Sequence, residues 1–86
     1  MSNYVYILAS IKPTDDTPRH TYVGWTKDLE RRLALHNTGT GAKSTRGRQW
    51  QLLYAERHPT QGEAMSREWH LKKDRRFRKK LISSAI

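Results

Sequence analysis

The first residues of the chain alternate between two sets of side chains that are both apolar. Across residues 3–9 the two sets are Tyr4, Tyr6 and Leu8 on one side and Val5, Ile7 and Ala9 on the other. A strand covered on both faces has this pattern, whereas a strand with one face in water alternates apolar with polar residues. Residues 3–9 are therefore predicted to form a central β-strand.

A second strand follows after a predicted loop. Residues 10–19 contain two prolines and two aspartates, which favour a loop. Residues 20–26 then predict a strand with Tyr22 and Gly24 on one face. The other face carries Thr21, Val23 and Trp25. The two strands are expected to form a hairpin with a long connection.

The middle of the chain predicts a helix, a loop and a third strand. Thr26 is expected to cap the helix, whose first turn then carries Asp28 near the positive end of the helix dipole. Residues 37–49 contain three glycines and no apolar period, so they predict a loop. Residues 51–58 predict the third strand.

Two helices are predicted at the C-terminal end. Thr60 and Glu63 have the spacing of a capping box, which predicts a helix over residues 61–73. Asp74 is expected to cap a last helix over residues 75–84. Phe77 and Leu81 lie four residues apart on one face of this last helix, and its other side is almost wholly cationic.

The predicted order β-β-α-β-α-α gives an α+β fold, a three-stranded antiparallel sheet flanked by helices. A length of 86 residues suits one domain over 1–86 with one modest core. The chain has no cysteine, which excludes a disulfide framework and a thiolate zinc site and fits a cytoplasmic location. No run approaches the roughly 20 apolar residues of a membrane span, and no signal peptide is recognised.

Charge points to a polyanionic partner. The chain has 17 Lys and Arg against 8 Asp and Glu, a formal charge of +9 and a pI of about 10.4. The basic residues cluster between residues 67 and 80, and a second group is Lys43, Arg46 and Arg48. Such clusters predict salt-sensitive binding to phosphates without a sequence code. The alternative is a generic basic surface.

Three polar residues fall on predicted inward faces. At about 100° per residue, Arg32 and His36 share the stripe of Leu29 and Leu33, whereas Arg31 points away from it. In the next helix Glu68 falls between the apolar positions Ala64 and Leu71. Simpler interpretations stay open for each: Arg32 extending over the core, His36 as a hydrogen-bonded core histidine, and Glu68 paired with Lys72.

An ordered set of motifs resembles the GIY-YIG nuclease superfamily over essentially the whole chain. The set is YVY at residues 4–6, YVG at 22–24, KDLERRLALHN at 27–37 and EAMSREWHLKK at 63–73. Within the superfamily the chain looks most like the small stand-alone bacterial predicted-endonuclease group. That group is related to the nuclease subunit of Holliday-junction resolving enzymes and to the N-terminal domain of the excision-repair protein UvrC.

The resemblance implies a metal-dependent endonuclease that hydrolyses DNA in repair or recombination, selecting structure rather than sequence. The implied catalytic set is Tyr6, Tyr22, Arg32, His36 and Glu68. Glu68 would hold Mg²⁺ or Mn²⁺, Arg32 would stabilise the phosphoryl group, and Tyr6 would act as the base or as a proton relay. Gly24 would let the scissile phosphate, or the neighbouring helix, approach the strand.

DNA is the expected partner, and no small-molecule cofactor or membrane is expected. The residues expected to contact DNA, besides Gly24, are Lys43, Arg46, Arg48, Lys72, Lys73, Arg75, Arg76, Lys79 and Lys80. UvrC-type relatives carry a lysine after Tyr-x-Gly where this chain has Trp25, so their substrate choice is not implied. The alternative function is an inactive or weak module that binds DNA or structured RNA.

Overall fold

A computed structural model describes residues 2–11, 18–39 and 49–85 of the chain. The elements are β1 (Asn3–Ile11), β2 (Pro18–Thr26), α1 (Leu29–Asn37), β3 (Gln49–His58), α2 (Gln61–Lys73) and α3 (Arg75–Ala85). The sheet has three strands in the order β2-β1-β3, and both pairs are antiparallel. The predicted fold class and element order are confirmed.

Strand β1 is the central strand and is covered on both faces, as its two apolar sets predicted. On one face Tyr6, Leu8 and Trp50 form a cluster, here the α1-side core, against which Tyr22, Leu29 and Leu33 pack. On the other face a second cluster, the α2-side core, consists of Val5, Ile7, Val23, Ala64 and Leu71, and Phe77 and Leu81 of α3 pack against it. The sheet therefore separates two small cores.

The strands extend further than predicted. Ile11 of β1 pairs with Pro18 and with Gln49, so residues assigned to loops belong to the ladder. A proline fits at the first position of β2 because that strand lies at the sheet edge. The rest of the first predicted loop, residues 12–17, and the segment 40–48 with Lys43, Arg46 and Arg48 lie outside the described residues.

The start of α1 corrects the predicted cap. Asp28, not Thr26, is the N-cap, and its carboxylate accepts a hydrogen bond from the Arg31 backbone N–H at 3.1 Å. Thr26 acts one step earlier, where its hydroxyl oxygen accepts from the Asp28 backbone N–H at 3.1 Å. Both residue types suit a cap, and the helix begins only at Leu29 because the strand continues through Thr26.

The predicted caps of α2 and α3 are confirmed. The Thr60 hydroxyl accepts from the Glu63 N–H at 3.2 Å, and the Asp74 carboxylate accepts from the Phe77 N–H at 3.0 Å. Helix α2 spans the predicted residues and buries Ala64 and Leu71. Within the described ranges, no helix has the length and apolar character needed to cross a membrane.

Candidate active site

Four of the five predicted catalytic residues meet on the α1 side of the sheet. Strand register places Tyr6 opposite Gly24 and Leu8 opposite Tyr22, so both phenols project from the same face. Helix α1 lies on that face and directs the buried His36 and the half-buried Arg32 toward the phenols. The sequence prediction that Arg31 points elsewhere agrees with its exposed position.

The centre of the site is a buried hydrogen bond between Tyr6 and His36. The Tyr6 hydroxyl lies 2.8 Å from His36 Nε2, and the two side chains are 1% and 0% exposed. The Tyr22 ring packs nearby, with its centroid 4.8 Å from that of His36 and 6.3 Å from that of Tyr6. His36 is thus a hydrogen-bonded core histidine, as the simpler interpretation held, and it also contacts the predicted reactive phenol.

Gly24 makes room for the Tyr6 side chain. A Cβ on Gly24 would lie 2.6 Å from the Tyr6 hydroxyl oxygen, 2.8 Å from Tyr6 Cζ and 3.0 Å from Tyr22 Cε2. The Tyr-x-Gly motif predicts that a phosphate or the neighbouring helix approaches Gly24. Among the described residues the nearest atoms belong to the two tyrosines, because Tyr6 lies directly across the ladder from Gly24.

Burial dominates the protonation of the phenol and the imidazole. Loss of solvent raises the pKa of Tyr6 to about 12, and the lowering effect of the Arg32 guanidinium only partly offsets it. Burial also lowers the pKa of His36, and the positive charge of Arg32 lowers it further. At neutral pH the pair therefore consists of a protonated phenol and a neutral imidazole.

Arg32 lies against the two phenols. Its interaction with the Tyr6 hydroxyl is the largest of the effects that raise the pKa of Arg32, and Tyr22 contributes in the same direction. Its Nε is buried and has no hydrogen-bond partner within the described ranges. A guanidinium has a planar fork of donors that matches two phosphate oxygens, so a buried free N–H suits an anionic ligand.

Glu68 stands apart from the other four. It lies on α2, its side chain is 22% exposed, and its Oε1 lies 3.5 Å from the Lys72 ammonium, so the simpler i,i+4 pairing is present. Its negative charge contributes to raising the pKa of Tyr6, which links it electrostatically to the phenol. The Glu68 charge is therefore close enough to influence the ionisation of Tyr6.

The residues present fit a Mg²⁺ ion whose ligands are mostly water molecules and substrate phosphates. No cluster of three or more His, Cys, Asp or Glu that could hold a metal occurs within the described ranges. Mg²⁺ does not require such a cage, since one or two carboxylates together with waters and substrate phosphates are its usual ligands in phosphoryl chemistry. Glu68 would supply one hard oxygen ligand of this type.

Two residues that support the site were missed in the sequence. Asn37, the last residue of α1, holds the start of β3: its Nδ2 donates to the Trp50 carbonyl at 3.0 Å, and the Trp50 N–H donates to its Oδ1 at 2.6 Å. The Trp50 ring closes the α1-side core beside Tyr22, with centroids 6.4 Å apart. Neither residue belongs to a periodic pattern, because both act across a loop.

A polar network on β3 was also missed. Arg67 donates three hydrogen bonds to the Glu56 carboxylate. Its Nε lies 2.9 Å from Oε1 and 3.1 Å from Oε2, and its Nη2 lies 3.0 Å from Oε2. Tyr54 and His58 also hydrogen-bond to Glu56. Burial alone raises the pKa of Glu56, but the hydrogen bonds from Arg67, Tyr54 and His58 outweigh it and hold the pKa at about 2. Arg67 is thus bound within the fold, although the sequence placed it in the basic cluster.

The cations of α2 and α3 differ in their availability. Arg75, Arg76, Lys79 and Lys80 are exposed along α3. Lys72 pairs with Glu68, and the Lys73 ammonium lies 3.8 Å from the centre of the Trp69 ring. Arg78 turns inward and donates to the Thr21 hydroxyl at 3.2 Å and to the Lys72 carbonyl at 2.9 Å. Only part of the basic run is therefore available to an anionic ligand.

A central strand and an adjacent strand present two phenols to a helix-borne arginine and histidine within a small α+β domain. The sequence model of the GIY-YIG catalytic domain matches residues 2–81, and the chain belongs to this nuclease family.

Small proteins of the UPF0213 group are similar over nearly the whole chain. A UPF0213 protein of Clostridium perfringens is 49% identical and covers 95% of this chain and 84% of its own. One of Oceanobacillus iheyensis is 43% identical and covers 93% and 88%. The solution NMR structure of a UPF0213 protein from Bacillus halodurans is 39% identical, covers 96% of this chain and 84% of its own, and superposes with a TM-score of 0.52.

Proposed function

We propose that the chain is a divalent-metal-dependent endonuclease that hydrolyses phosphodiester bonds in DNA, in repair or recombination, by selecting structure rather than sequence. One observation carries the proposal: the buried Tyr6–His36 hydrogen bond lies beside Arg32, whose buried Nε–H has no partner among the residues that the structure describes. Hydrolysis of a phosphodiester needs a route for the proton of water and a cation against the phosphate. The four clustered side chains offer both.

The protonation states favour a relay over a free phenolate base. With a pKa of about 12, Tyr6 keeps its proton at neutral pH. In the tautomer with its proton on Nδ1, His36 can accept the Tyr6 proton at Nε2, 2.8 Å away. As water attacks phosphorus, Tyr6 takes the water proton while passing its own to His36, and the bond to the 3′ oxygen breaks. The departing alkoxide takes a proton from solvent, and His36 then releases its extra proton to solvent.

The other residues act on the phosphate and its surroundings. Arg32 binds two oxygens of the scissile phosphate through its fork, and its charge offsets the negative charge that develops there. Tyr22 orients the phosphate and the His36 ring that it packs against. Glu68 would hold Mg²⁺ or Mn²⁺, which supplies charge neutralisation at the phosphate and at the departing 3′ oxygen. The exposed cations of α3 bind flanking phosphates.

The deciding experiment compares two glutamates of α2. Wild type is incubated with Mg²⁺ or Mn²⁺ and a panel of single strands, flaps, forks and junctions. Glu68→Gln should keep fold and DNA affinity and lose nearly all cleavage, because the amide retains the shape but not the charge. Glu63→Gln is the control, since it stands beside the Thr60 cap and a glutamine serves there equally.

Two results would contradict the proposal. Full Mg²⁺-dependent cleavage by Glu68→Gln would remove the metal assignment. Binding of the panel by wild type without cleavage at any metal concentration would favour the non-catalytic nucleic-acid-binding alternative.

The relay itself is tested by the pH dependence of single-turnover cleavage at saturating metal. Because the neutral form of His36 accepts the proton, the rate should be lost as pH falls through its lowered pKa, below 6.5. Above that pH the rate should be level to about pH 9. An unassisted phenolate base with a pKa near 12 would instead give a tenfold rise per pH unit throughout this range.

A further inference from the structure

Helix α2 carries a large aromatic ring on its outer face, next to the proposed metal ligand. Trp69 is 55% exposed, and Met65, one turn earlier on the same face, is 48% exposed. The opposite face of the helix is fully used, since Ala64 and Leu71 are completely buried in the α2-side core. The core therefore does not account for Trp69.

Two polar side chains contact the Trp69 ring. The Lys73 ammonium lies over one face of the indole, 3.8 Å from its centre. The His70 ring meets it edge-on, with centroids 5.0 Å apart at 81°. A cation over one face and an edge contact fix the orientation of an indole while leaving it accessible.

The charges around Trp69 favour a nucleic acid. Lys72 and Lys73 flank it on α2, and the exposed cations Arg75 and Arg76 follow at the start of α3. A hydrophobic partner surface on a protein would have to bury these charges, whereas a nucleic acid neutralises them with phosphates and supplies flat rings for the indole.

We propose that Trp69 is a stacking platform for an unpaired base of the DNA strand that is cut in the proposed active site, whose metal ligand Glu68 is the neighbour of Trp69. The proposal rests on the function proposed above and adds the part of the substrate that α2 recognises. A base in a duplex is already stacked on both sides, so only an unpaired base can cover the indole without losing such contacts. Trp69 thereby selects DNA with a single-stranded segment beside the scissile phosphate.

The test measures binding without cleavage. Full-length protein without divalent metal is titrated into a labelled 12-nucleotide oligo(dT) strand and into a duplex of equal length, and anisotropy gives each Kd. Because loss of one base–aromatic stack lowers affinity roughly 5- to 150-fold, Trp69→Ala should weaken single-strand binding at least about fivefold. Duplex binding should change less than about twofold. Trp69→Phe should lie between wild type and Trp69→Ala on the single strand.

Met65→Ala is the matched control, since it removes a similarly exposed apolar side chain from the same face. It should bind both DNAs like wild type. Fluorescence gives an independent readout: oligo(dT) should quench tryptophan emission in wild type and fail to do so in Trp69→Phe, whose remaining tryptophans are the buried Trp50 and the half-buried Trp25.

Several outcomes would overturn the inference. The first is a Trp69→Ala variant whose single-strand affinity is unchanged, or whose affinity falls equally on strand and duplex. The second is a loss of affinity confined to an oligo(U) RNA strand. The third is dimerisation of wild type that Trp69→Ala abolishes while DNA binding persists. The proposed nuclease function is judged separately: wild type that discriminates strand from duplex but never cleaves would refute that function and leave the stacking platform standing.

Discussion

Gly24 and Tyr6 form the tightest pair of residues in the site. They face each other across β1 and β2, and the phenol fills the volume that any Cβ at position 24 would need. The same phenol reaches His36 with its hydroxyl. The position of the reactive group is thus fixed by a backbone contact on one side and a hydrogen bond on the other.

Gly24→Ala should therefore disable cleavage more than it disturbs the fold. The new methyl group forces the hydroxyl end of Tyr6 to move and lengthens the hydrogen bond from Tyr6 to His36. We expect this to lower the free energy of unfolding by about 1–3 kcal/mol. Single-turnover cleavage should fall about a hundredfold, in line with loss of a positioned proton-transfer group.

Gly62→Ala is the control for that substitution. A Cβ on Gly62 meets no atom of the described part of the chain within 4 Å, and the residue lies in the first turn of α2. The alanine should raise stability by up to about 1 kcal/mol and leave the rate unchanged. Wild-type cleavage by Gly24→Ala would show that the Tyr6 position does not matter for the chemistry.

Helix α1 shows how element geometry separates adjacent residues. The 100° rotation per residue puts Arg32 against the phenols and leaves Arg31 exposed at the surface. Two arginines of identical chemistry therefore have different expected roles.

Arg32→Lys should cost about a hundredfold or more in single-turnover rate, on the order of 3 kcal/mol, because an ammonium lacks the fork that grips two oxygens. Arg31→Lys should be nearly silent. Both variants are assayed at saturating DNA and Mg²⁺. Greater damage from Arg31→Lys would mean that the active site had been assigned to the wrong face of α1.

The sequence predicted those parts of the fold and site that depend on local periodicity. Alternation identified β1 as a central strand, and helical spacing placed Arg32 and His36 together. One end of each strand and the α1 cap were wrong by two residues, because cross-strand pairing decided the strand ends and a second side chain able to cap decided the start of α1. Asn37, Trp50 and the Glu56 network have contacts between distant segments, which no local pattern encodes.

Helix α3 combines two kinds of arginine that composition alone cannot distinguish. Replacing the exposed Arg75, Arg76, Lys79 and Lys80 with alanine should weaken DNA binding and reduce the salt slope by up to about 0.9 per lost phosphate contact on duplex. The rate at saturating DNA should change little. A collapse of that rate with unchanged affinity would place chemistry on α3.

Arg78→Ala provides the contrast. Its guanidinium joins α3 to Thr21 of β2 and to the end of α2, so its loss should lower the free energy of unfolding by about 1–3 kcal/mol. Urea denaturation measures this difference. The salt slope of DNA binding should stay near the wild-type value.

At the scale of the whole molecule, the stability that the Glu56 network contributes should depend on pH in the acid range. The pKa of Glu56 is about 2 in the fold against an ordinary 4.5, so its stabilising effect is complete above pH 4.5 and is lost as pH falls toward 2. Glu56→Gln should be less stable than wild type by about 1–3 kcal/mol at pH 5–7. That difference should vanish near pH 2.

Urea denaturation of both proteins at pH 7, 5, 3.5 and 2 checks this expectation. The His36 contribution, which is complete above pH 6.5 and declines as pH falls, is common to both proteins and cancels in the difference. Glu30→Gln, which alters an exposed carboxylate on α1, should show no such trend. A constant difference across all four pH values would mean that the charge of Glu56 is not what stabilises the fold.

Tyr6 and His36 take part in the proposed reaction and are also fully buried in the fold, Tyr6 within the α1-side core and His36 against it, which restricts how a lineage of such chains could lose activity. A substitution can abolish activity without lowering stability only at a residue that contributes to the reaction and little to the packing. A substitution at Tyr6 or His36 should lower the free energy of unfolding as well as the cleavage rate. Selection for a folded chain therefore removes such a substitution. The half-exposed Arg32 and Glu68 carry no such penalty. Inactive but intact descendants should therefore have changed first at these two positions.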